Sequence, residues 1–122
     1  MTRLFFTSFI LLLFTLSLHA NPNTKKEINH LLEYVKTTHC VYIRNGDKHK
    51  GPEAQSHIQR KYDYYVDDIE FTEDFIRLSA TKSTMSGDIY QIKCPGEAKV
   101  PSAQWLLDEL ANFRKTLKEE NK

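Results

Sequence analysis

Cys40-Val41-Tyr42-Ile43-Arg44-Asn45-Gly46 and its counterpart Ile89-Tyr90-Gln91-Ile92-Lys93-Cys94 decide how this chain folds. Both stretches are short, rich in β-branched and aromatic residues, and bounded by turn formers, which is the composition of strands. Asn45-Gly46 is the dipeptide favoured in a type I′ hairpin, because both central residues must take positive φ. A disulfide needs Cα atoms within about 7 Å. Parallel strands would hold Cys40 and Cys94 roughly 13 to 17 Å apart at about 3.3 Å per residue, whereas antiparallel strands bring them together. A Cys40–Cys94 bond therefore predicts antiparallel pairing. It closes a loop of about 55 residues, worth on the order of 4 kcal/mol in the chain-entropy treatment.

Residues 1–20 have the make-up of a cleaved export signal. Arg3 supplies the positive start, Leu4 to Leu18 the apolar run, and Leu18-His19-Ala20 a small residue suited to cleavage before Asn21. A membrane span takes about 20 apolar residues, so no stable span is expected after cleavage. The chain is assigned to the periplasm or the secreted medium, where a cysteine pair is expected to be oxidised. Of the 17 Lys and Arg only Arg3 lies in the signal, and none of the 16 Asp and Glu does, so removing it leaves the two signs equal in number. Such a balance speaks against nucleic acid, whose binders carry a strong basic excess. Residues 21–122 suffice for one small domain with one core, expected to be a monomer.

Helical periodicity fills the rest. Asn21-Pro22-Asn23 reads as a flexible start, and Thr24 with Glu27 as a capping box ahead of the stripe Ile28, Leu31, Leu32 and Val35. Pro52 and Glu53 open a second helix with Ala54, Ile58, Tyr62, Tyr65, Val66 and Ile69 inward. Thr72 is read as the cap of a third, with Phe75, Ile76 and Leu78 inward, and Ser102 as the cap of a fourth. That last stripe is Ala103, Leu106, Leu107, Leu110, Phe113 and Leu117, and Trp105 plugs the core edge. Asp47 to His49 form a short polar arm, and the segment from Cys94 to Pro101 is turn and loop. The expected fold is α+β: about four helices on a two- or three-stranded antiparallel sheet, with one disulfide.

The polar loop 81–88 is the most suggestive candidate site. Lys82, Ser83, Thr84, Ser86 and Gly87, beside Arg44, Asn45 and Gly46 of the hairpin turn, suit an anion or a sugar. The plainer reading is a surface turn whose hydroxyls satisfy its own backbone. Ser79-Ala80-Thr81-Lys82 matches S-x-x-K, in which a lysine activates a serine nucleophile, but the partner motifs Ser-Asp-Asn and Lys-Thr-Gly are missing. A Ser79 or Ser83 nucleophile with Lys82 or His57 as base is thus the catalytic alternative. His30, His39, His49 and His57 stand in no recognised ligand spacing, and no metal or cofactor is expected. Arg60, Lys61 and Tyr62, Tyr64 and Tyr65 suggest a platform for a glycan, although Tyr62 and Tyr65 also fit the core stripe and only Tyr64 points clearly elsewhere.

Val41-Tyr42-Ile43-Arg44-Asn45-Gly46, Glu53-Ala54, His57-Ile58, Glu73-Asp74-Phe75-Ile76, Ser86-Gly87 running into Tyr90-Gln91-Ile92-Lys93, and Pro95-Gly96 follow one another in an order and spacing that is fairly specific. Together, over about Thr24 to Phe113, they resemble a family of small exported proteobacterial proteins of unassigned function, the YfeK-like proteins among them. The resemblance implies a periplasmic or secreted single domain, carries no catalytic residue across, and implies that the cysteines vary among members. It marks Arg44, Asn45, Gly46, His57, Ser86 and Gly87 as positions to test. The expected role is a non-enzymatic binding or interaction module with an envelope protein or glycan as partner. The alternatives are a small envelope hydrolase or transferase, and a structural docking piece of an envelope complex using Trp105 or Tyr64.

Overall fold

Cys40 and Cys94 are bonded, with Cα atoms 4.2 Å apart, and the strands they bracket run antiparallel. The computed structural model describes residues 22–122; the export segment read over residues 1–20 lies outside the described residues. In chain order the elements are α1 (Pro22–Lys36), β1 (Val41–Arg44), β2 (Asp47–His49), α2 (Gly51–Tyr65), a 3₁₀ turn (Val66–Asp68), α3 (Thr72–Ser79), β3 (Gln91–Lys93), β4 (Val100–Pro101) and α4 (Ser102–Glu120). The class is α+β, with four α-helices and one antiparallel sheet of order β2-β1-β3-β4 among the described residues. Asn45 and Gly46 both take positive φ, 51° and 79°, as the two-residue hairpin between β1 and β2 requires.

Four strands stand where two or three were expected. The extra one, β4, lies in the segment read as loop, where Val100 pairs with Ile92 and Pro101 with Gln91. Two residues carry no alternation to read, and a proline is tolerated because β4 is an edge.

Thr24, Thr72 and Ser102, expected as helix caps, bond elsewhere. α1 begins at Pro22, two residues before Thr24, with proline suited to a first helical turn. Thr24 Oγ1 donates instead to the Glu70 carbonyl at 3.2 Å. Thr72 donates to Glu27 at 2.6 Å, while Asp74 caps α3 by accepting from the backbone N–H of Glu70 and Phe71. Ser102 is buried, its hydroxyl 2.6 Å from the Tyr42 phenol. Tertiary partners outbid local caps at three of the four helices.

Ile28, Leu31, Leu32 and Val35 of α1 pack with Ala54, Ile58, Phe75 and Ile76 of α2 and α3, and with Leu106 and Leu110 of α4. Val66 and Leu107, expected inward, are exposed, and Leu78 is half-buried. Trp105 does close the core edge, its ring 4.4 Å from that of Tyr34. The start of α2 abuts the end of α1 so closely that a Cβ on Gly51 would stand 2.5 Å from the Val35 carbonyl oxygen. No other residue fits there without moving backbone. No helix among the described residues is long and apolar enough to cross a membrane.

Candidate functional site

Strand alternation sets the floor of the site. Tyr42 and Ile92 face each other across β1 and β3 and are buried under the helices. Two residues along each strand, the same face carries Arg44 and Tyr90. The sheet therefore delivers a guanidinium and a phenol to the edge of the core, beneath α2.

α2 supplies the wall. His57, Arg60, Lys61, Tyr64 and Tyr65 recur at i, i+3, i+4, i+7 and i+8, one helical stripe running beside the core stripe of Ala54, Ile58 and Tyr62. Tyr62 packs edge-on against Phe75, whereas Tyr65, expected in the core, lines the cleft because its stripe is the outer one. The opposite wall is Ser83, Thr84 and Met85, and Asn45 closes one end. The resulting open cleft has a volume of about 590 Å³.

Its hydrogen bonds are ordered. Arg44 has only N–H groups to offer, so His57 Nδ1 accepts from Arg44 Nη1. The neutral imidazole then carries its proton on Nε2 and donates it to the Tyr90 oxygen at 3.1 Å. Burial, reinforced by Arg44, Lys61, Arg60 and His49, pushes His57 down to about 4, so it is neutral at pH 7. Burial likewise raises Tyr90, keeping its phenol protonated, and lowers Lys61, with Arg44 adding to the effect. Lys61 donates to the Lys82 carbonyl at 2.8 Å and lies 5.3 Å from the centre of the Tyr90 ring. No carboxylate lines the cleft among the described residues.

The loop 81–88 does sit against the hairpin turn, because the Ser86 hydroxyl donates to Asn45 Oδ1 at 2.7 Å. It also serves its own backbone: Ser83 N–H reaches the Asp88 carbonyl, Gly87 N–H the Ser83 carbonyl, and Ser86 N–H the Ser83 hydroxyl. Of the residues expected to bind, Arg44, Asn45, Ser83 and Thr84 share the cleft. Gly46 and Gly87, with Asn45, line a groove with Ile43 and Gln91, which alternation turns to the other face of the sheet, and Gly87 also borders a small pocket with Lys82, Ser83 and Thr84. Lys82 is exposed outside the cleft, and Ser86 acts as the bridge.

Two pairings of the catalytic alternative, Ser79 with Lys82 and Ser83 with His57, are not assembled, while Lys82 and Ser83 share a small pocket at the end of α3. Ser79 ends α3 and is fully buried, while Lys82 lies beyond the helix end on the surface, so the two share no helical face. His57 has both ring nitrogens engaged, by Arg44 and Tyr90, and presents no lone pair to Ser83. Of the residues expected in a glycan platform, Arg60, Lys61, Tyr64 and Tyr65 line the cleft and Tyr62 does not. Tyr90 and Met85 are cleft residues that the sequence did not mark: Tyr90 reads as part of a strand and Met85 as the apolar member of a polar loop.

The chain belongs to the Family of unknown function DUF5329, which it matches over residues 22–114. It is also similar to the Uncharacterized protein YfeK of Salmonella typhimurium, with 34% identity over 84 residues, 66% of this chain and 70% of that protein. No solved structure matches it.

Proposed function

We propose that this protein is an exported, non-enzymatic binding module of the bacterial envelope, and that it takes a negatively charged ligand into the cleft between α2 and the 81–88 loop. The observation that carries this reading is the charge of the wall. Arg44, Arg60 and Lys61 line it with no carboxylate among the described residues there. Placing three like charges together is unfavourable unless something answers them. The apolar run Leu4 to Leu18 behind Arg3 supports export, and the Cys40–Cys94 bond suits an oxidising compartment.

Amide NMR with sulfate replacing chloride at constant ionic strength tests the reading. Saturable shifts are expected at Arg44, Asn45, Ser83 to Met85 and Tyr90. They should vanish in an Arg44→Ala, Lys61→Ala double variant whose melting temperature stays close to the parent. Shifts spread over the whole surface, or none in the cleft, would remove the proposal.

A further inference from the structure

The Asn45, His57 and Tyr90 acceptors in this cleft each already take a hydrogen bond, and that narrows what can enter. Asn45 Oδ1 takes the Ser86 hydroxyl, which leaves the Asn45 amide N–H groups as its free end. His57 Nδ1 takes Arg44, and the Tyr90 oxygen takes His57, which leaves the phenol proton to donate. Arg60 and Lys61 can only donate. Hydroxyls such as those of Ser83 and Thr84 can turn a proton outward. The group that fits is one with several acceptors and no proton of its own, an oxyanion.

Charge and shape narrow it further. A single carboxylate would answer one of three positive charges and offer two oxygens. A phosphomonoester carries about −1.5 to −2 at pH 7 and three acceptor oxygens, enough to meet Arg44, Lys61 and Arg60 from separate directions. At the mouth, Tyr64, edge-on to the Tyr65 ring, is 80% exposed and Met85 99% exposed, apolar surfaces flanking the cations. Aromatic faces and a flexible thioether suit a ring or chain attached to the anion.

The geometry points to a phosphomonoester borne on a sugar or lipid as the ligand of this cleft, its phosphate on Arg44, Lys61 and Arg60 and its body against Tyr64 and Met85. This rests on the anion-binding reading above and specifies its ligand class.

Isothermal titration of the processed, oxidised protein with a hexose monophosphate, glucuronate and glucose tests it, with vesicles of phosphatidylcholine with or without phosphatidic acid as the lipid arm. The hexose phosphate, the phosphatidic acid vesicles or both should bind at least about tenfold more tightly than glucuronate, and glucose should not bind. Binding to vesicles alone assigns the phosphate to a lipid, and binding to the sugar alone to a soluble glycan. Arg60 has no carboxylate partner among the described residues, so Arg60→Gln should fold and weaken the phosphate ligand about tenfold while barely touching glucuronate. Equal affinity for glucuronate and phosphate overturns the phosphomonoester but leaves the sulfate result standing. No binding by any anion, or binding unaffected by Arg44→Ala, overturns both.

Discussion

Arg114 and Arg44 are both half-buried arginines at a junction of elements, and they use their charge in opposite ways. Arg114 of α4 gives Nε and Nη2 to Glu27 of α1, at 2.6 and 3.0 Å, and Nη1 to Glu73 of α3 at 2.6 Å. Its hydrogen bonds hold both carboxyls below the usual carboxylate range. Arg44 gives its bond to a neutral imidazole and keeps its net charge, with Arg60 and Lys61 beside it. One guanidinium ties three helices together and is neutralised. The other is positioned by a group that cannot neutralise it. A cation held firmly in place but left unanswered is what a binding site needs, and the Arg114 cluster shows that this chain can pair an arginine where only stability is served.

The largest effect should come from breaking the neutralised cluster. Arg114→Ala strands Glu27, whose side chain is only 8% exposed, with Thr72 as its remaining hydrogen-bond donor. Stranding a buried charge costs about 3 to 5 kcal/mol, and the partial exposure of Arg114 brings the expectation to about 2 kcal/mol. Urea denaturation should show that loss while sulfate still saturates the cleft. If Arg114→Ala were harmless to stability, or if it abolished anion binding, the contrast between the two arginines would fail.

The parts legible in the sequence are those fixed by a hard geometric constraint. Two cysteines at the start and end of separate strands allow only antiparallel pairing, and Asn45-Gly46 names its turn. β4 was not legible, because two residues carry no pattern and its bonds are dictated by β3. Thr24, Thr72 and Ser102 looked like caps since local and tertiary partners use the same hydroxyl. In the cleft, Arg44, Asn45, Ser83 and Thr84 were found because turns and polar loops advertise themselves. Tyr65 stood between platform and core because it lies at i+3 from Tyr62 on the core stripe and at i+8 from His57 on the outer one, just where α2 tightens into a 3₁₀ turn at Val66. Only knowledge of which stripe meets the sheet separates those readings.

Acid should unmake the two regions in different windows, which sharpens the contrast. His57 is held at about 4 against an ordinary 6.5, so between those values the unfolded chain binds a proton that the folded one refuses. Its contribution is therefore present above pH 6.5 and lost as pH falls toward 4. Glu27 and Glu73 lie below their ordinary 4.5, so theirs is present above that value and lost further down, with Asp74 adding to the same lower leg. His57→Gln should flatten the upper leg of stability against pH and leave the lower leg alone. Comparing variant with parent cancels the other histidines. An unchanged upper leg would mean that His57 is not the neutral partner of Arg44.

Ser79 is the smallest effect and the strictest check on what an unpaired polar group means. Its hydroxyl is fully buried and has no hydrogen-bond partner among the described residues, so like Arg44 it is a polar group left unanswered. It differs in having no route to solvent or ligand, and an unpaired buried hydroxyl only costs desolvation. Ser79→Ala removes that cost and leaves a small apolar side chain in its place, so stability should stay level or rise by about 1 kcal/mol. Anion binding and unreactivity toward a fluorophosphonate probe should both be unaltered. If the parent took the probe and Ser79→Ala erased the label, exposure would have been the wrong criterion. The unanswered hydroxyl would then belong with Arg44 as a working group rather than with the core.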